Sequence, residues 1–263
     1  MILLNGNEVK FPSFPDGTTA VRLYDFAPGP NPLITWKYDG DHECMNLFFL
    51  VNHIREVSCG KARISLEMPY IPNARMDRVK SDSEVFTLKW FAKFINSLDF
   101  VSVEVLDPHS NVATALIDRV IVEAPKFYVD TAIGIIDGGE GYLLCYPDEG
   151  AAKRYSSVLN REYVFGIKHR EWESGHITGL SLADPERVNG RNVLIVDDIC
   201  SRGGTFVAMA NALKAAGAQD VRLYISHCEN TIFNGSVLTD GLISHVYTTD
   251  SIFRGEHPNI TVI

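Results

Sequence analysis

No run in this chain approaches the ~18 consecutive apolar residues that a membrane-spanning helix needs. The opening residues MILLNGNEVKF carry no basic patch ahead of an apolar stretch, so no secretory signal is expected there. Basic residues are in deficit, 24 Lys and Arg against 33 Asp and Glu, for a net charge of −9. That balance argues against a generic nucleic-acid or anionic-membrane surface, which wants a basic excess, but leaves room for a local basic pocket. Cysteines are few, odd in number and scattered: Cys44, Cys59, Cys145, Cys200 and Cys228. No two have metal-ligand spacing, and such a set belongs in a reducing compartment, so a cytoplasmic protein is expected. Short repeats, low-complexity tracts and long linkers are missing as well.

What remains is an ordinary globular composition, 46 % hydrophobic and 22 % charged over 263 residues. It suffices for one or two domains with a sizeable core. NLFFLVNHIREV (46–57) reads as a helix and RISLEMPY (63–70) as a strand with Ile64, Leu66 and Met68 on one face. Ser81 and Glu84 fit a capping box ahead of VFTLKWFAKFINSL, where Leu88, Phe91, Ile95 and Leu98 recur at helical spacing. FVSVEVLDPH (100–109) alternates as a strand with a polar tip. YLLCYPDEGAAKRY (142–155) reads as strand, turn and helix. TFVAMANALKAAG reads as a helix closed by Gly217, and VRLYISH (221–227) and HVYTTDSIF (245–253) as strands. Strands alternating with helices predict an α/β protein with mostly parallel sheets, joined near EAPKFYVDT (123–131) into domains 1–125 and 126–263.

The stretch NVLIVDDICSRGGTF (192–206) carries the chemistry. Val193, Leu194, Ile195 and Val196 suit a parallel strand buried on both faces. Asp197 and Asp198 at its end are costly unless they meet water, a cation or hydroxyl groups, although such a pair sometimes only caps a helix. Ser201, Arg202, Gly203, Gly204 and Thr205 then open a helix whose first amides favour an anion such as phosphate. Carboxylates for sugar hydroxyls beside amides for phosphate describe a site for a phosphorylated sugar. Three further polar tips follow strands: Arg75 to Arg78, Asp107 to His109, and Asp148 to Gly150. Ligands of parallel sheets bind beyond such ends.

VLIVDDICSRGGT resembles the phosphoribosyl-diphosphate loop of type I phosphoribosyltransferases and of ribose-phosphate pyrophosphokinases. The remaining motifs favour the second family. FPDGTTAVRL (14–23) is similar to its Phe-Ser-Asp-Gly-Glu segment, and MPYIPNARMDR (68–78) to its Pro-Tyr-x-x-x-Ala-Arg-Gln-Asp-Arg. LDPH (106–109) is similar to Asp-Leu-His, and YPDEGAAKR (146–154) to Ser-Pro-Asp-x-Gly-Gly-x-x-Arg. GIKHREWESGHITG (166–179) resembles the Lys-Arg-Arg flexible loop, which here includes Trp172. SHCENTIF and VYTTDSIF follow the closing strands. The resemblance implies two tandem phosphoribosyltransferase-like domains, each a mostly parallel sheet flanked by helices. It implies Mg²⁺-dependent transfer of the β,γ-diphosphate of ATP to the anomeric hydroxyl of ribose 5-phosphate, with release of AMP.

Roles carry over by position. Asp197 and Asp198 would hold the ribose hydroxyls, and Ser201, Arg202, Gly203, Gly204 and Thr205 the 5-phosphate. Lys168 and Arg170 would close over the transferring phosphates, where charge neutralisation matters more than covalent chemistry. His109 and Asp148 would be metal ligands, direct or through water. Phe14, Asp16, Arg75 and Arg78 would form the ATP site, with Phe14 and Asp16 reaching in from a neighbouring subunit. Plainer readings stay open beside these: Phe14 as core, Asp16–Gly17 as a turn, Asp148 as a turn residue, and Lys168, Arg170, Arg75 and Arg78 as solvated charges.

The departures from the family are specific. Thr18 stands for its Glu and Met76 for its Gln, and a Met lacks the paired donor and acceptor of an amide. NGNEVKFPS leaves no room for a helix usual in the family, and the chain stops at HPNITVI where the family continues into another. A homo-oligomer is expected, a dimer rather than a hexamer. Ser201-Arg202 replaces Asp-Thr, which moves local charge about two units toward positive and offers a planar fork for phosphate. Either Arg202 points idly to solvent, or the acceptor carries more than one phosphate at its 5 position, as ADP-ribose does. In the second case the product would serve to rebuild a nicotinamide dinucleotide. A phosphoribosyltransferase using an activated ribose and a non-catalytic homologue are the alternatives.

Overall fold

The computed structural model describes residues 1–23, 29–137, 141–170 and 177–263, with the side chains of residues 137, 168–170, 177 and 178 outside the described part. The chain forms two compact units, Met1–Glu123 and Ala124–Ile263. The first contains β1 (Ile2–Leu4), β2 (Asn7–Glu8), β3 (Leu33–Trp36), α1 (Glu43–Val57), β4 (Ser65–Glu67), α2 (Thr87–Ser97), β5 (Ser102–Leu106), α3 (Asn111–Leu116) and β6 (Val120–Glu123). The second contains α4 (Lys126–Asp137), β7 (Tyr142–Tyr146), α5 (Glu149–Leu159), β8 (Tyr163–Arg170), β9 (Ile177–Leu182), β10 (Asn192–Cys200), α6 (Gly204–Ala215), β11 (Val221–Cys228), β12 (Val246–Thr248) and β13 (Ile260–Val262).

The first sheet runs β2-β1-β3-β4-β5-β6 and is parallel from β3 onward. Its antiparallel edge is the β1–β2 hairpin, turned by Asn5 and Gly6 at φ 50 and 81. This two-residue loop of left-handed residues matches the twist of its strands. One core serves the unit. Ile34, Trp36, Leu66, Val103 and Val105 meet α1 through Leu47, Leu50, Val51 and Ile54, and α2 through Leu88, Phe91 and Ile95. The opposite face is polar, with Glu67 and Glu104 adjacent in register.

The second sheet runs β13-β12-β11-β10-β7-β8-β9, parallel throughout except for the final β8–β9 pair. Here each face has its own core. Val193 and Ile195 of β10 pack with Phe206, Met209 and Leu213 of α6, while Leu194 and Val196 pack with Val129 and Ile133 of α4 and Tyr155 of α5. A continuous apolar strand follows from burial on both sides.

Four local expectations change. The capping box at Ser81 does not start a helix: Glu84 reaches back to the Lys80 amide at 2.7 Å and closes a turn, and α2 begins at Thr87. Strand β12 stops at Thr248, because Thr249 and Ser251 turn inward to the Ser226 carbonyl. β10 continues through Asp197 and Asp198 to Cys200, paired with β11. The junction segment 123–131 enters helix α4 at Lys126.

Buried Glu43 ties β3 to α1: its Oε2 accepts the Trp36 indole N–H and the Asp39 amide, each at 2.8 Å. Glu43→Leu orphans both donors. It should lower unfolding stability by about 1–3 kcal/mol, read as a drop in the urea midpoint with an unchanged slope. An unchanged midpoint would refute the role given to Glu43.

Candidate active site

The buried β10 delivers two carboxylates side by side, past the last β7 residue paired with it. Asp198 is 3 % exposed. The cost of placing them there is met from α5. Arg154 Nη2 donates to Asp198 Oδ1 at 3.0 Å and lies 3.4 Å from Asp197 Oδ1. The same guanidinium sits over the Tyr155 ring at 4.6 Å. Burial, and then the adjacent Asp198 charge, push the Asp197 carboxyl well above the usual carboxylate range; Arg154 offsets this only in part. In the sequence Arg154 merely closes YPDEGAAKR, with no local sign of this role. Its partners lie 43 and 44 residues away, beyond any local pattern.

The small-residue loop follows at once. Gly203 adopts φ +76 at the N-cap of α6, and Gly204 and Thr205 are exposed. First-turn amides have no partner inside a helix, so an open N-terminus receives an anion. The loop is braced from behind. Ser201 Oγ donates to Glu229 Oε2 at 2.7 Å, and Thr231 Oγ1 to the same oxygen at 2.9 Å. A Cβ on Gly203 would stand 2.1 Å from Val237 Cγ2, and one on Gly235 only 1.9 Å from the Arg202 carbonyl oxygen. The Ser201 hydroxyl is thus turned toward a carboxylate, leaving the backbone amides and exposed Thr205 at the open helix start. Arg202 is exposed, and no described residue bonds or pairs with its guanidinium.

Asp148 is the N-cap of α5, its Oδ1 accepting the Ala151 amide at 3.0 Å. Lys168 and Arg170 lie on β8, paired in backbone register with Leu180 and Ile177. Their side chains, and Trp172 altogether, lie outside the described residues.

The remaining candidates belong to the first unit. His109 is half-buried just after β5, behind buried Asp107 at φ 40. Arg75 and Arg78 do not sit directly at the end of β4; they are exposed on the turns that follow it, and Arg78 Nε meets Asp77 Oδ1 at 3.1 Å. Phe14 is 50 % exposed and so not core. It tops a small turn in which Asp16 Oδ1 accepts both the hydroxyl (2.7 Å) and the amide (2.9 Å) of Thr18. The Thr18 hydroxyl, then its amide, lower the Asp16 pKa. Among the described residues no three His, Cys, Asp or Glu side chains gather as a metal cage.

The phosphoribosyl transferase domain family matches residues 150–232, which hold Arg154, the Asp pair and the loop. The chain is 30 % identical to a ribose-phosphate pyrophosphokinase of Pyrococcus abyssi over 226 residues, 83 % of this chain and 75 % of that one. It is 26 % identical to one of Thermococcus kodakarensis over 245 residues, 88 % and 80 % of the two chains. Its fold superposes on phosphoribosylpyrophosphate synthetase from Mycobacterium smegmatis with a TM-score of 0.74 at 19 % identity, covering 97 % of this chain and 85 % of that one.

A carboxyl with a raised folded pKa holds its proton more tightly folded than unfolded. Its stabilising contribution is present below the unfolded value of about 4 and is lost as pH rises through the folded one. Asp197→Asn removes that loss. The ligand-free variant should melt above the parent at pH 8 and show a flatter Tm–pH profile. A parent that matches or exceeds it at pH 8 would contradict the strained pair.

Proposed function

Because the chain belongs to the ribose-phosphate pyrophosphokinase family, we propose that it moves the β,γ-diphosphate of ATP to the anomeric hydroxyl of a 5-phosphorylated ribose. It is a diphosphotransferase. The observation that carries the acceptor half is the Asp197–Asp198 pair followed within a few residues by the open N-terminus of α6. The carboxylates accept hydrogen bonds from ribose hydroxyls and fix the sugar's orientation. The helix amides and Thr205 take the 5-phosphate. The anomeric oxygen bonds to the β-phosphorus as the bridge to the α-phosphate breaks. AMP departs with the bridging oxygen, and the hydroxyl proton passes to solvent.

The ATP half rests on residue-by-residue likeness: Phe14, Asp16, Arg75 and Arg78 for the nucleotide, Lys168 and Arg170 for the migrating charge. Mg²⁺ takes few protein ligands beside phosphates and waters, so the scattered donors fit it. His109 and Asp148 would be metal ligands, direct or through water. When bound, it would neutralise phosphate charge. No described helix is long and apolar enough to cross a membrane, and all five cysteines are free, which supports work in a reducing cytoplasm. A homodimer that lends Phe14 and Asp16 to its neighbour accommodates a phenyl ring left half exposed.

The acceptor is extended beyond one phosphate, as in ADP-ribose, and its activated form feeds the rebuilding of a nicotinamide dinucleotide. Support comes from Arg202, an exposed guanidinium on a backbone braced by Gly235. Its fork suits the second phosphate.

With ATP and Mg²⁺, AMP should accumulate, and ADP-ribose should equal or outperform ribose 5-phosphate as acceptor. Arg202→Thr should harm the ADP-ribose reaction more. AMP with ribose 5-phosphate but none with ADP-ribose would sink the extended acceptor; ADP without AMP would sink the pyrophosphokinase reading. Lys168→Ala or Arg170→Ala should lower kcat by about 10² or more with smaller KM effects. A loss confined to KM would remove them from the transition state.

A further inference from the structure

Gly235, where a Cβ would collide with the Arg202 carbonyl, follows a short 3₁₀ turn, Asn230–Asn234. Phe233 projects from that turn 43 % exposed. The ring is held from behind. Phe253 lies 6.0 Å away at 36°, and His257 6.3 Å away at 49°. Gly255 is bare because a Cβ there would stand 2.5 Å from Phe233 Cε2. The Arg254 amide donates to Asn230 Oδ1 at 3.0 Å, fastening the segment that carries Phe253, Gly255 and His257 onto the turn. Those three residues also line an open groove of about 480 Å³. Phe233 keeps nearly half its surface open while its back is fixed. One residue, Asn234, separates it from Gly235, so the two lie two chain steps apart, at most ~7 Å. That is the order of reach of a second phosphate and a ribose leaving the loop at Arg202.

We infer that Phe233, backed by Phe253 and His257, is a stacking platform for the base of an acceptor extended at its 5 position. The ligand class is a nucleoside diphosphate-ribose. This rests on the extended-acceptor reading above and adds where the nucleoside goes. Its second phosphate meets Arg202, and its base lies on the open face of Phe233 at the edge of the groove. Stacking uses the π-face that every base has, so the platform is tolerant of base identity. Recognition of this kind belongs to binding, and it should appear in KM for the extended acceptor with kcat nearly untouched.

Three acceptors separate the parts: ribose 5-phosphate, ribose 5-diphosphate, which has the second phosphate but no base, and ADP-ribose. Phe233→Leu keeps an apolar side chain for packing, and Phe233→Trp keeps a stacking ring. In the parent, ADP-ribose should have a lower KM than ribose 5-diphosphate. Phe233→Leu should raise the ADP-ribose KM about tenfold or more, the size of one lost base–aromatic stack. It should leave the other two acceptors unchanged, and Phe233→Trp should restore ADP-ribose. Equal KM values for ADP-ribose and ribose 5-diphosphate, or a Phe233→Leu effect shared by all three acceptors, would overturn the platform while the role of Arg202 stands. Turnover of ribose 5-phosphate alone would overturn the extended acceptor first, and the platform with it.

Discussion

Two carboxylates held side by side at the end of a doubly buried strand are the constraint on which the second unit is built. Asp197 and Asp198 repel each other and lose solvation, so the fold must supply a cation, and Arg154 of α5 does so. An arginine suits the task because it stays charged and spreads that charge over a fork. It reaches only because α5 starts directly after β7, with Asp148 capping its first turn. The compensation is incomplete, and the Asp197 carboxyl keeps a raised proton affinity.

The loop beyond the pair answers the opposite need. Gly203 and Gly235 mark where backbone is packed against Val237 and the Arg202 carbonyl, and Glu229 gathers the hydroxyls of Ser201 and Thr231. These contacts hold the α6 N-terminus open without filling it. An acidic pair and an anion-receiving amide cluster thus stand a few residues apart, and a sugar phosphate carries both matching groups. Of the Ser-Arg pair at this loop, Ser201 joins the bracing through Glu229, and Arg202 stays exposed.

How much of this was legible in the sequence depended on the reach of each interaction. β10 was readable because burial on both faces demands an unbroken apolar run, and α6 because Gly217, at φ 93, closes it. α2 was readable from its period, yet its start was not, since Ser81 and Glu84 serve a turn as readily as a helix. The three-residue β1 and β13 and the two-residue β2 are too short for a period, although the Asn5–Gly6 turn was a usable signal. The aspartates and the glycine loop announced themselves locally. Arg154, Glu229, Gly235 and Phe233 act on partners distant in sequence, and nothing beside them in the chain marks that role.

The central claim is that a diphosphate passes in one piece to the anomeric oxygen. It is tested most directly with an acceptor carrying ¹⁸O in its anomeric hydroxyl, ATP and Mg²⁺. The account predicts unlabelled AMP and a sugar product whose ¹⁸O bridges C1 and the former β-phosphorus. Label bonded to the former α- or γ-phosphorus, with release of diphosphate or ADP in place of AMP, would contradict it.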